Sequence, residues 1–174
     1  MEEKKYAVLI DGDNISSKYL DSILNEMTKY GIATYKRIYC DFTSQQSSKW
    51  RRLVRDSGIQ AMQQFANTVG KNATDSTLII DAMDILYTGN VDGFCIVSSD
   101  GDFTRLAIRL KESGMDVIGM GESKTPRSFR AACTVFTDLE ILYEAESEDD
   151  EISTKGKKLS LIHISEPTRR VVIS

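Results

Sequence analysis

Two stretches decide the fold: Tyr6-Ala-Val-Leu-Ile-Asp-Gly-Asp-Asn14 and Phe94-Cys-Ile-Val-Ser-Ser-Asp-Gly-Asp102. Each is a short apolar run that stops on carboxylates around a glycine. Such a run suits a buried strand ending in a polar turn. Outward from the first, Ile15, Tyr19, Leu20, Ile23, Leu24 and Met27 recur at helical spacing over 15–30, with Gly31 as a stop. The unit repeats in outline. Ala33–Cys40 reads as a strand, Ser44–Asp56 as a helix with basic residues on one side, and Ile59–Phe65, after Gly58, as a weaker strand. Before the second stretch the pattern predicts a helix from Thr74 to Tyr87, ended by Gly89. After it come a helix over Phe103–Glu112 closed by Gly114, a strand over Met115–Met120, a short helix over Ser128–Ala132 and a last strand at Val135-Phe136. Strands alternating with helices imply crossover connections. The predicted fold class is therefore α/β: three α/β/α layers around a mainly parallel central sheet, Rossmann-like in outline.

The chain has 174 residues, enough for one ordinary core with appendages. At 41% hydrophobic and 28% charged, with two prolines, it has the composition of a chain that folds around a core. No apolar run approaches the roughly 20 residues that cross a bilayer, and Met1-Glu-Glu-Lys-Lys5 leads straight into the first strand instead of a signal h-region. The reading is a cytoplasmic protein with no membrane partner. Cys40, Cys95 and Cys133 sit in apolar segments at spacings that match no zinc or disulfide framework, so they read as reduced, buried thiols.

The expected domain is residues 1–143. Residues 144–151 hold six carboxylates, and 144–158 reads as a disordered linker, acidic then basic. Residues 159–174 open with Leu-Ser-Leu-Ile-His-Ile-Ser-Glu-Pro-Thr-Arg, which resembles a translated sequencing adapter, and are expected to be a non-native tail. That tail holds His163, the sole histidine, so catalysis built on a histidine base loses its central part. The net charge of −4 reduces to −2 over residues 1–143, from 17 basic and 19 acidic groups. Net charge thus neither supports nor excludes a polyanionic substrate.

In a doubly wound sheet, ligands bind beyond the carboxyl ends of the strands where strand order reverses. If the two decisive strands are neighbours, Asp11 and Asp100 share one sheet edge, with Asp13 and Asp102 a short turn away. Carboxylates that close require a compensating charge. Oxygen-only ligands favour Mg²⁺ or Mn²⁺. Asp75, opening the helix before the second stretch, is a further candidate for that edge. Each acid also has a plain structural reading: Asp-Gly pairs form turns, Asp102 can cap a helix, and Asp75 suits a helix N-terminus. Asp81 and Asp84, three apart, share a helix face, and at least one of them reads as merely solvated.

Val8-Leu-Ile-Asp-Gly-Asp-Asn14, Lys71-Asn-Ala-Thr-Asp75 with Leu78-Ile-Ile-Asp-Ala-Met83, and Val97-Ser-Ser-Asp-Gly-Asp-Phe103 with Leu106 together resemble the NYN domain of the PIN-like nuclease superfamily, in particular its bacterial LabA-like branch. The resemblance covers roughly residues 5–140. It implies a PIN-like fold and a Mg²⁺- or Mn²⁺-dependent ribonuclease, an endoribonuclease in type, whose metal-binding and catalytic acids are Asp11, Asp75, Asp100 and Asp102. Asn14 would be the polar companion of Asp11, and Asp13, Ser98 and Ser99 would support the site. Asp13 stands where the family often has a less acidic residue, and Asn-Ala-Thr precedes Asp75 where Gly-Val is frequent. Metal-assisted hydrolysis needs no protein nucleophile, in keeping with the missing histidine.

Substrate contacts are sought in two places. Lys36, Arg37, Lys49, Arg51, Arg52 and Arg55 crowd the second strand and helix, with Tyr39 and Trp50 among them, a mixture that binds phosphates and stacks bases. Lys124, Arg127 and Arg130 form a second group in a loop that opens a helix. Single-stranded or structured RNA is the expected partner, with a homodimer and a further C-terminal RNA-binding module as secondary expectations. Two alternatives stay open. One is a non-catalytic module that binds RNA or a protein. The other is a haloacid-dehalogenase-like phosphatase, which Leu9-Ile-Asp-Gly-Asp13 also resembles, with Asp13 as acid–base.

Overall fold

The computed structural model describes residues 2–65 and 76–163, except the side chains of residue 76 and of 155–163. The strands are β1 (Lys5–Asp11), β2 (Ile32–Cys40), β3 (Gln60–Gln63), β4 (Gly93–Val97), β5 (Asp116–Gly121) and β6 (Val135–Asp138). Between them run α1 (Leu20–Met27), α2 (Ser48–Ser57), α3 (Ser76–Thr88), α4 (Thr104–Glu112) and α5 (Arg127–Ala132), and α6 (Leu139–His163) follows β6. All six strands are parallel, in the order β3-β2-β1-β4-β5-β6. The chain builds outward from β1 to one edge, then returns to its other side at β4. The three-layer α/β/α expectation holds.

The two decisive runs form the centre of the sheet. Residues 6–11 of β1 and all of β4 are buried, as a strand covered on both faces requires. Ala7, Leu9, Phe94 and Ile96 pack with Leu78, Ala82 and Ile85 of α3 and with Leu106, Ala107 and Leu110 of α4. The alternate residues Val8, Ile10, Cys95 and Val97 are equally buried, as are Leu20, Ile23 and Met27 of α1. Each large apolar side chain removed from water contributes about 1.5–3 kcal/mol. The edge strand β3 is shorter than predicted, four residues against seven, and mostly exposed. Helix α1 starts five residues later than its periodicity implied, because a 3-10 turn over Ser17–Tyr19 precedes it. Gly89 and Gly114 stop their helices with φ of 74° and 84°, left-handed values that glycine adopts without strain.

The three cysteines are free and buried, as expected. Burial pushes the Cys40 and Cys133 thiols up to about 12.

The chain divides into two units, Met1–Glu140 and Ile141–Ser174. Residues 144–158, expected as a linker, lie within α6. Glutamate and lysine are good helix formers. The acids at 144 and 146 and the run 148–151 precede the bases at 155, 157 and 158, the order that the helix dipole favours. Among the described residues, no helix is long and apolar enough to cross a membrane.

Candidate active site

β1 lies between β2 and β4, so the end of β1 is the place where strand order reverses. Ile10 pairs with Val97, which sets Asp11 beside Ser98, the residue after β4. The Ser98 hydroxyl donates to Asp11 Oδ2 at 2.8 Å and accepts the Asp100 backbone N–H at 3.0 Å. Asn14 closes the junction from the β1 side: its Oδ1 accepts the Ser99 N–H at 2.7 Å. The Ser99 hydroxyl then accepts the Glu122 N–H at 2.9 Å, tying in the end of β5. Ser98, Ser99 and Asn14 thus bolt three strand ends together. The Ser98 hydroxyl is thereby fixed between the Asp11 carboxylate and the Asp100 amide as a positioning group.

The turn after Asp11 is tight. The N–H groups of Asn14 and Ile15 return to the Asp11 carbonyl at 3.2 and 3.0 Å, and Gly12 N–H bonds Tyr39 O at 2.8 Å. A Cβ on Gly12 would meet Ile38 Cγ2 at 2.8 Å and Cys40 Cβ at 2.9 Å, so this approach of β1 to β2 admits only glycine.

Asp11 is 4% exposed. Burial pushes its carboxyl up to about 6, the neighbouring carboxylates of Asp13 and Asp100 add to the rise, and the bond from Ser98 opposes it. Asp100 accepts the Asp102 N–H on Oδ1 at 2.9 Å and so caps the 3-10 turn Gly101–Phe103. Asp11 and Asp100 are thus brought together as expected. Asp13 stands nearby, but it is spent on the fold: Oδ1 accepts the Asp41 N–H and Oδ2 accepts Gln64 Nε2, both at 3.1 Å. The phosphatase alternative asks Asp13 to carry protons, a role at odds with those two bonds. Asp102 is exposed and lines a cavity with Ile79, Met83, Arg105 and Arg109. Asp75 lies outside the described residues.

Hard carboxylate oxygens held together against their own repulsion are chemically suited to a divalent cation. Asp11 and Asp100 fit that requirement. Among the described residues, no three acidic, histidine or cysteine side chains converge as ligands, so what is described is a two-carboxylate edge.

The residues expected to hold nucleic acid divide sharply. Trp50 is 3% exposed and its indole N–H donates to Gly12 O at 2.9 Å, so it is a core strut and not an open stacking platform. One nitrogen of Arg51, Nη1, bonds Phe42 O, Ser44 O and the Ser47 hydroxyl, fixing the loop before α2. Arg37 pairs with Asp81 at 3.0 Å, where Tyr39 also donates at 2.7 Å, so Asp81 pins α3 to β2. Asp84 alone of that pair is exposed. Arg130 donates to the carbonyls of Thr125 and Ser123 and lies over the Phe136 ring. Lys124 is exposed, 3.9 Å from Glu122. Lys49, Arg52 and Arg127 are exposed. Sequence reading missed Gln64 and Asp81, which position an acid and a helix. Neither carries a local signal, since their partners are remote in sequence.

A Rossmann-like parallel sheet with a buried carboxyl, Asp11, and further carboxylates beside it at the switch point defines the class: an α/β domain with an acidic strand-end edge. The chain belongs to the NYN domain family, whose model matches residues 5–140. That family is generally one of PIN-like nucleases, which fits this edge. The chain is similar to an uncharacterized protein of Methanocaldococcus jannaschii, 26% identical over 171 residues, covering 94% of this chain and 66% of that one. It thus spans just under two thirds of that relative's length. Its fold is similar to that of a protein of unknown function from Vibrio parahaemolyticus, with a TM-score of 0.65, 19% identity, and coverage of 79% of this chain and 93% of the other.

Proposed function

We propose that this chain is a metal-dependent ribonuclease of the LabA-like branch that hydrolyses phosphodiester bonds of RNA at the β1/β4 edge. The observation that carries the reading is Asp11: a buried carboxyl at the switch point, pushed up to about 6 with Asp13 and Asp100 against it. A fold gains nothing in stability from gathering like charges at a strand end, whereas a cation site requires it.

In this reading Asp11 and Asp100 hold the ion, with Asp102 and Asp75 as the remaining acids of the set. Mg²⁺ or Mn²⁺ bound there supplies a water of lowered pKa and offsets charge on the leaving oxygen. Ser98 fixes the orientation of Asp11 through its hydroxyl, and Asn14 holds the two strand ends in register by capping Ser99. No side chain forms a covalent intermediate, since the serine at the site is already committed. Lys49, Arg52, Lys124 and Arg127 remain as exposed cations for the RNA backbone.

The test is cleavage of a labelled single-stranded RNA by the full chain with Mn²⁺, Mg²⁺ or EDTA, beside Asp11→Asn/Asp100→Asn. Cleavage that needs metal and disappears in the double variant supports the reading. RNA left intact with either metal, while the wild type still binds it, replaces it with a binding module.

A further inference from the structure

A cavity of about 780 Å³ opens between the loop after β1 and the loop after β2, immediately along the chain from Asp11. One wall is Asp13–Ser17 and the other Asp41 with Ser44–Lys49; Trp50 closes it, held by its bond to Gly12 O. The volume is that of a small-molecule site, roughly 300–1,000 Å³.

The polar side chains around it fall into two sets. Ser16, Ser44 and Ser47 bond to the backbone of their own turns, and Asp13 and Asp41 accept from Gln64, Gln63 and backbone N–H groups. In contrast, the side chains of Ser17, Gln45, Gln46, Ser48 and Lys49 make no hydrogen bond or ion pair within the described residues. One unpartnered glutamine on an open surface is satisfied by water and signals nothing. Five polar side chains in the walls of one concavity, beside polar groups that are bonded internally, form a set of donors and acceptors with no partner among the described residues.

Their chemistry selects the ligand. Serine hydroxyls and glutamine amides donate and accept, as the edges of a nucleobase and a ribose hydroxyl require. The charged side chains in its lining are the carboxylates of Asp13 and Asp41, both accepting hydrogen bonds, and the ammonium of Lys49. A second cavity shares Ser16, Ser17 and Lys49 and adds Lys18, Arg52 and Asp21, so cations outnumber the one carboxylate there. A phosphate suits Lys49, and a neutral base and ribose suit the serine and glutamine side chains.

We infer that this cavity holds one nucleotide of single-stranded RNA next to the bond to be cut, base and ribose inside, phosphate at Lys49, with the strand leaving across Arg52. The inference rests on the ribonuclease reading above and adds to it a subsite and a source of base preference. Lys49 and Arg52 then touch the substrate, while Trp50 and Arg51 act only by shaping the cavity.

The test has two arms on the full chain. In the first, amide NMR spectra in EDTA are followed during titration with each nucleoside 5′-monophosphate, and with inorganic phosphate as control. The amides of Ser16, Ser17 and Ser44–Lys49 are expected to shift with nucleotide, unequally among the four bases, and phosphate alone to move only those near Lys49 and Arg52. In the second, Gln45→Ala/Gln46→Ala/Lys49→Ala, all at exposed positions, is expected to raise KM for single-stranded RNA about tenfold and flatten the base preference at cleavage sites, with kcat within about twofold and the urea midpoint unchanged. A variant that cuts with unchanged KM and pattern overturns the subsite and leaves the nuclease reading standing. A wild type that cuts no RNA, yet whose cavity amides respond to nucleotides, overturns the nuclease reading and leaves a nucleotide site. Silence in both arms overturns both.

Discussion

The carboxylates at the ends of β1 and β4 and the cations of α2 both read as functional charge in the sequence, and the fold treats them in opposite ways. At the strand ends it takes Asp11 out of water, sets Asp13 and Asp100 against it, and holds the arrangement with Ser98 and Asn14. In and around α2 it spends the most suggestive residues on the fold, Trp50 on Gly12 and Arg51 on three loop oxygens, and leaves Lys49, Arg52 and Arg55 outward. The lesson is that a charge or aromatic cluster marks function where the fold pays to keep it unneutralised, and marks architecture where every group has found a partner.

Four measurements break or sharpen that contrast. The largest effect belongs to Asp11→Asn, which is expected to lower kcat/KM for RNA by about 10³-fold or more under Mn²⁺. Residual cleavage near the wild-type rate would move the chemistry away from this edge. Next, Trp50→Ala is expected to cost about 3–5 kcal/mol in urea unfolding, since it empties a core position. Trp50→Phe, which loses the bond to Gly12 but keeps most of the volume, is expected to cost about 1 kcal/mol. If instead RNA binding fell with stability unchanged, Trp50 would be a stacking residue after all.

The third measurement is the stability of Asp11→Asn against pH. A carboxyl at about 6 in the fold and 3.8 when unfolded binds its proton more tightly in the native state. The stability this contributes is present below about pH 4 and is lost as pH rises through 6. The variant is therefore expected to exceed wild type by up to about 3 kcal/mol at pH 7, with the gap closing at pH 4. Millimolar Mn²⁺ is expected to narrow the gap by stabilising wild type alone. A variant less stable than wild type at pH 7 would make Asp11 a structural acid. The smallest effects separate the cations of α2. Arg51→Ala is expected to cost about 1–2 kcal/mol of stability, whereas Lys49→Ala and Arg52→Ala change it by less than about 0.5 kcal/mol. Each of the latter two is expected to lower the salt-dependence slope of RNA binding by about one.

Much of this was legible in the chain. Apolar runs that stop on Asp-Gly gave away the buried central strands, because only a strand covered on both faces tolerates that composition and a carboxylate marks where it meets solvent. The alternation of strands and helices implied parallel pairing, and the motifs around Asp11 and Asp100 identified the family. The pattern failed where a residue's environment is made by distant parts of the chain. Trp50 among arginines looks like an open basic face until the loop after β1 presents the Gly12 carbonyl to it. Spacing leaves open which of Asp81 and Asp84 is solvated until β2 brings Arg37 and Tyr39 against Asp81.

By itself, then, the sequence determined which segments are buried strands, which residues end them, and that the acids at those ends share one type, since periodicity and turn chemistry act over a few residues. Only the tertiary structure decided that β1 and β4 are neighbours, so that Asp11 meets Ser98 and Asp100, and that the loops after β1 and β2 form a cavity in which five polar side chains have no partner among the described residues. Burial, repulsion and hydrogen-bond satisfaction are properties of what lies across space, and no local pattern encodes them.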